Sequence, residues 1–131
     1  MITSRKVRYG IILFYMILIF IGSSIPNASL PKSSVISVDK LVHVVEYFLF
    51  GGILAFALLP NRQKLIKASH YLMVIGIGWI YAVTYEIHQH FVPNRDMSIY
   101  DFYADAIGVL LGLAFYLIFM RYIYPKFKRA E

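Results

Sequence analysis

Asp39, Lys40, His43, Glu46 and Tyr47 fall close together at the start of a long apolar run. At helical spacing, Asp39, His43, Glu46 and Tyr47 stand at i, i+4, i+7 and i+8, so one helix face carries two carboxylates, an imidazole and a phenol. Glu86, Gln89 and His90 repeat the arrangement at i, i+3 and i+4, at the end of another apolar run. Asp101 and Asp105 open a third run on a face that continues through Gly108 and Gly112. Arg95 and Ser98 lie between the second and third groups. These groups suit a ligand site. The carboxylates accept from amines and hydroxyls, while Lys40, His43 and Arg95 hold a phosphate or carboxylate, Arg95 as a two-point clamp. His43-x-x-Glu46 and Glu86-x-x-x-His90 also have spacing that permits acid–base work or a divalent metal. No metalloenzyme motif accompanies them, the Glu-x-x-His order of di-metal bundles is absent, and no serine or cysteine nucleophile sits beside a base. The expectation is therefore binding without a resident metal or cofactor.

Each group also has a plainer use. Ser98-x-x-Asp101 has the pattern of a capping box opening a helix. Asp39 suits a helix cap, Arg95 a counter-charge for Glu86 or Asp101, and Pro93-Asn94 an ordinary turn. Glu46 and Glu86 resist such explanations. An ionised side chain at membrane depth costs on the order of 2.5–3.5 kcal/mol on insertion scales, so acids there need partners, water or a task.

The membrane enters through composition. Of the 131 residues, 60% are hydrophobic and only 15% charged, against about a quarter charged in soluble domains. Mean hydropathy is +0.65. The apolar residues come in four blocks, near 7–24, 40–60, 69–91 and 100–122, each close to the ~20 residues that cross a bilayer core. The reading is all-α: an integral membrane four-helix bundle forming one domain over residues 1–131. Arg5, Lys6 and Arg8 before Ile11 to Ile21 resemble a signal peptide, yet the small-residue cleavage pattern is poor, and the stretch reads as an uncleaved first span. Cysteine is absent, which removes disulfides and thiolate metal sites.

Ten of the 13 lysines and arginines fall in the N-terminal tail, the 61–68 loop and the C-terminal end. By the positive-inside rule both termini face the cytoplasm. Six of the seven acids then belong to the outer half, so all three polar stripes meet near the outer surface. Glu46 and Glu86 should lie about 7–10 Å inside their helix ends. The net charge of +6 points to anionic lipid headgroups as partners and not to nucleic acid. Gly78-x-x-x-Ala82 and Gly108-x-x-x-Gly112 suit close helix packing. The aromatic residues, 17% of the chain, read mainly as interfacial belt and lipid-facing bulk, and His70 and His88 as interfacial. Ile25-Pro26-Asn27 before Asp39 echoes Val92-Pro93-Asn94 before Asp101, a faint sign of two duplicated hairpins.

These residues carry a resemblance. Asp39, Lys40, His43 and Tyr47, then Glu86, Gln89, Phe91, Pro93, Arg95, Ser98, Asp101, Gly108 and Gly112, follow the pattern of the VanZ-like family of small bacterial membrane proteins. That family is named for a member associated with teicoplanin resistance. The similarity covers roughly residues 20–120. One departure is Asp105, where the family usually has asparagine; the added carboxyl either alters the charge that the pocket prefers or is simply kept protonated by desolvation. The resemblance implies a multi-pass protein of the bacterial cytoplasmic membrane with a part in glycopeptide tolerance. The expected function is an envelope protein binding a polar or lipid-linked group, such as a lipid-linked cell-wall precursor or the lipoglycopeptide, in an outer-facing pocket. A membrane-embedded hydrolase or transferase acting on a lipid-linked head group is one alternative. A small transporter or flippase component is another, and would need a homo-oligomer because four spans leave a narrow pathway.

Overall fold

The computed structural model describes residues 4–25, 38–60, 65–95 and 97–125. Within them the chain is all-helical, with no strand: α1 (Arg5–Ser24), α2 (Val38–Leu58), α3 (Ala68–His90) and α4 (Ile99–Ile118), the last continuing through a π-helical turn, Phe119–Ile123. Helices satisfy their own backbone N–H and C=O groups, the one arrangement short of a closed barrel that an apolar chain can use in lipid. Local signals set the ends. The Ser4 hydroxyl accepts from the Val7 N–H at 3.4 Å to open α1. Ile25, with φ −78° and ψ 120°, takes the extended form favoured before a proline. His70 Nδ1 accepts from the Lys67 N–H at 3.0 Å at the start of α3. Beyond His90, Asn94 adopts φ 62°, a left-handed conformation that asparagine tolerates, and the chain reverses into α4.

Contacts fix the topology. Lys40 reaches Asp101 and His43 reaches Asp105, so α2 and α4 begin at the same end. Arg95 and His88 touch the last residues of α1, whereas Arg8, near its start, donates to the Phe56 carbonyl late in α2. The helices therefore run up, down, up, down. α1, α2 and α4 with its extension are long and apolar enough to cross a membrane. α3 is as long, at 23 residues, and must return the chain between α2 and α4; Glu86, Gln89 and three histidines dilute its hydropathy.

The expected spans lie within two residues of the helices, and the small shifts matter. With α2 starting at Val38 and α3 ending at His90, Glu46 lies about 12 Å inside its helix end and Glu86 about 6 Å, instead of the similar depths expected. Pro26 and Asn27 of the hairpin echo fall outside the described residues. The core gathers Ile19, Tyr47, Phe50, Leu54, Val74, Ala82, Val109 and Leu113. α1 fully buries only Ile19 and Ser23; Ile12, Tyr15 and Met16 pack partly buried against the core, and most of its remaining surface is exposed.

The tightest contact joins α2 to α4. A Cβ on Gly108 would come 2.7 Å from the Val44 carbonyl oxygen, and one on Gly112 would collide with the Phe48 carbonyl. Gly51, on α2, faces the Val109 backbone in the same way. Gly78 of α3 rests on the Val109 side chain. Gly112→Val should therefore destabilise the bundle by about 3 kcal/mol or more, because neither backbone can yield. Gly10→Val, at a position with open space around it, should change stability by under about 0.5 kcal/mol. Reversible unfolding in detergent or bicelles compares the two.

Candidate functional site

Close approach of α2 and α4 allows short side chains to meet across the seam. Lys40 Nζ donates to Asp101 Oδ1 at 2.8 Å, and one turn deeper His43 Nδ1 stands 2.9 Å from Asp105 Oδ1. The outer rung is partly solvated, with the Lys40 side chain 25% exposed. The inner rung is sealed: His43 is 3% exposed and Asp105 0%. Tyr85 stands edge-on to both His43 and Tyr47, at 5.8 and 5.9 Å between ring centres. These rings wall the deep side of the cluster.

α3 supplies Glu86 and Gln89, both buried. Glu86 Oε2 accepts from the Ser98 N–H at 3.0 Å. This corrects the capping-box expectation. Ser98 is the N-cap residue of α4, but its side chain makes no cap bond, and Asp101 is engaged by Lys40. The role that the third helical residue plays in a capping box, holding the N-cap amide, passes to Glu86 of a neighbouring helix. A carboxylate at a helix N-terminus also meets the positive end of its dipole.

The structure divides the remaining predicted residues. Asp39, in the first turn of α2, is half-buried, and its carboxylate lies within 4.8 Å of ligand atoms of His43 and Asp101. Glu46 turns from this seam toward α1. Its backbone carbonyl accepts from the Tyr15 hydroxyl at 3.0 Å, the Tyr85 hydroxyl meets Oε2 at 3.5 Å, and Oε1 faces Gly22. Arg95 does close a two-point clamp, but on α1: Nε donates to the Ile25 carbonyl at 3.2 Å and Nη2 to the Gly22 carbonyl at 3.4 Å. It thereby satisfies carbonyls that a helix C-terminus leaves open. His90 is exposed and edge-on to Phe91 at 5.4 Å. The buried stripe of α3 runs through Gly78, Ala82 and Gln89, which places His90 about 100° round the helix from its middle.

Four buried polar atoms have no hydrogen-bond partner among the described residues: Glu86 Oε1, Asp105 Oδ2, Gln89 Nε2 and the Tyr47 hydroxyl. Buried polar groups are paired in the great majority of cases, so four in one neighbourhood need an explanation. His43, Glu86 and Asp105 also present ligand atoms within 4.8 Å of one another. Sequence reasoning missed Tyr85, the shared wall of the cluster. Its place in the 78, 82, 85, 89 stripe was the signal that could have found it. His88 gains a role too, accepting or donating to Ser24 Oγ at 3.1 Å and lying over Phe20 at 4.4 Å.

Compared with known proteins, residues 2–120 match the model of the protein family described as VanZ/LLP1, nearly the whole chain. The chain belongs to that family. No curated protein and no solved structure matches it.

The cap that Glu86 forms is separable from its charge. Glu86→Gln keeps an acceptor for the Ser98 amide, whereas Glu86→Ala removes it at a cost of about 1–2 kcal/mol. Hydrogen exchange at the Ser98 amide should therefore accelerate about tenfold or more in Glu86→Ala and much less in Glu86→Gln.

Proposed function

We propose that this VanZ/LLP1-family protein is a multi-pass envelope protein of the bacterial cytoplasmic membrane. In this reading both termini are cytoplasmic, and the polar cluster lies toward the outer surface, its inner rung closed in this structure, and takes the head group of a lipid-linked molecule. The observation that carries it is the set of unpartnered buried atoms, Glu86 Oε1, Asp105 Oδ2, Gln89 Nε2 and the Tyr47 hydroxyl. Leaving one such atom unmet costs about 1–3 kcal/mol. A ligand rich in hydroxyls and amides would meet all four, taking bonds from the phenol and amide and giving them to the carboxylates.

Charge selects among ligands. Asp39, Glu86, Asp101 and Asp105 outnumber Lys40 and His43, while Glu46 faces α1 and Arg95 is committed to α1 carbonyls. Glycan or peptide donors therefore suit the pocket better than a bare phosphate. An apolar groove of about 280 Å³ runs along α2 and α4 past Phe48, Gly52, Phe56, Gly112, Phe115 and Phe119. It begins roughly 8–10 Å inward of the His43–Asp105 rung by helical rise, where an acyl or polyprenyl tail would lie beside a seated head group. A lipid-linked cell-wall precursor and a lipoglycopeptide share this chemistry, and teicoplanin tolerance follows if the protein engages either. Membrane lipids are the other partners.

Susceptibility of a Gram-positive host separates this reading from a bracing role. Wild-type protein should protect against teicoplanin and not against vancomycin, which lacks the acyl tail. Glu86→Gln, at equal membrane level, should abolish protection. Equal protection by Glu86→Gln returns the cluster to bracing, and no protection by the wild type removes glycopeptide action from the proposal.

A further inference from the structure

The innermost part of the cluster has the composition of a metal site. His43, Glu86 and Asp105 are all buried, come from three different helices, and place ligand atoms within 4.8 Å of one another. Imidazole nitrogen with carboxylate oxygens is a donor set for first-row divalent ions, whereas magnesium and calcium favour oxygen alone. Ligands 2.0–2.2 Å from a zinc ion stand about 3–4.4 Å apart, so small side-chain adjustments would close the set.

The unpartnered atoms supply a second, separate observation. Glu86 Oε1 and Asp105 Oδ2 belong to this trio and have no partner among the described residues. Asp105 Oδ1 meets His43 Nδ1, a hydrogen bond that a metal ion on that nitrogen would replace; Glu86 is oriented by the Ser98 amide on one oxygen, which leaves its second oxygen available. Metal-ligating carboxylates are commonly oriented in this way. A second trio, Asp39, His43 and Asp101, lies nearer the helix ends, but Lys40 already holds Asp101 Oδ1 at 2.8 Å. That ammonium would repel a cation there.

We propose that His43, Glu86 and Asp105 bind one divalent transition-metal ion of the zinc class in the sealed inner part of the cluster. The ion fills the free carboxylate oxygens and crosslinks α2, α3 and α4. It also adds the positive charge that the acid-rich cluster lacks, so a head group could then present a phosphate or carboxylate oxygen to it. The inference rests on reading this cluster as a binding site. Its test does not use antibiotic protection, so the two can fail separately.

The full chain, purified in detergent and stripped with chelator, is titrated with zinc chloride, and bound metal is counted after dialysis. Wild-type protein should hold one zinc per chain. Glu86→Gln and Asp105→Asn should each weaken binding at least tenfold, with His90→Ala unchanged as a control for exposed imidazoles. X-ray absorption should show one imidazole nitrogen among oxygen donors, and magnesium at equal concentration should not compete. Thermal unfolding without metal checks that each variant is folded; the absorption signature of the wild type decides the matter if one is not. Binding that survives in folded Glu86→Gln and Asp105→Asn, binding lost in His90→Ala, or no saturable zinc in the wild type would each overturn the proposal.

Discussion

The backbone-to-backbone contact of α2 with α4 is the constraint on which the rest depends. Asp105 has a single methylene to span the gap between helices, so it reaches His43 only because Gly108 and Gly112 bring the α4 backbone against Val44 and Phe48. In lipid no hydrophobic drive presses helices together, and small residues matter because they permit dispersion contact and short polar bonds at once. Widening this seam by one side chain would separate both rungs and leave His43 and Asp105 buried without partners. Such uncompensated groups are costly anywhere and most of all at membrane depth.

Around that seam the other helices divide the labour. α1 is mostly lipid-facing, and polar contacts attach it at intervals: Arg8 to the Phe56 carbonyl, Tyr81 to the Met16 carbonyl at 2.6 Å, Tyr15 to the Glu46 carbonyl, and Arg95 across its last turn. These braces satisfy carbonyls and leave few loose ends. The cluster of α2, α3 and α4 differs, since its polar groups are more deeply buried and yet only half engaged. A purely structural network gains most when every member is satisfied. The contrast between the finished braces and the unfinished cluster, within one small bundle, is the physical basis for assigning work to the latter.

Much of this was legible in the sequence because membranes impose strong rules. Block length and apolar composition give four helices to within two residues, and the stripes beginning at Asp39, Glu86 and Asp101 locate the polar end. What remained hidden depends on rotation and on loop path. A stripe at i, i+3 and i+4 spans about 100° of helix surface, enough to send Glu86 and Gln89 inward and His90 to the surface. Glu46 shares a stripe with His43, but α1 lies on its side of α2 and draws it away from the seam. The destination of Arg95 depends on where the end of α1 passes, which spacing does not encode. Ser98 and Asp101 carry a local capping pattern that tertiary partners override, because Lys40 takes the aspartate and Glu86 takes the amide.

The central claim is that the free oxygens of this cluster are held for a ligand and not needed to hold the helices. The most direct test is the unfolding free energy of Asp105→Asn against wild type in chelator-treated protein without ligand. Asparagine keeps an acceptor for His43, converts the unpartnered oxygen to a donor and removes one carboxyl from an acid-rich cluster. A ligand site predicts stability unchanged or increased, as when binding residues are held at a cost to the fold. A loss of about 3 kcal/mol or more, the usual effect of breaking a buried ion pair, would contradict it and make the His43–Asp105 rung a structural strut.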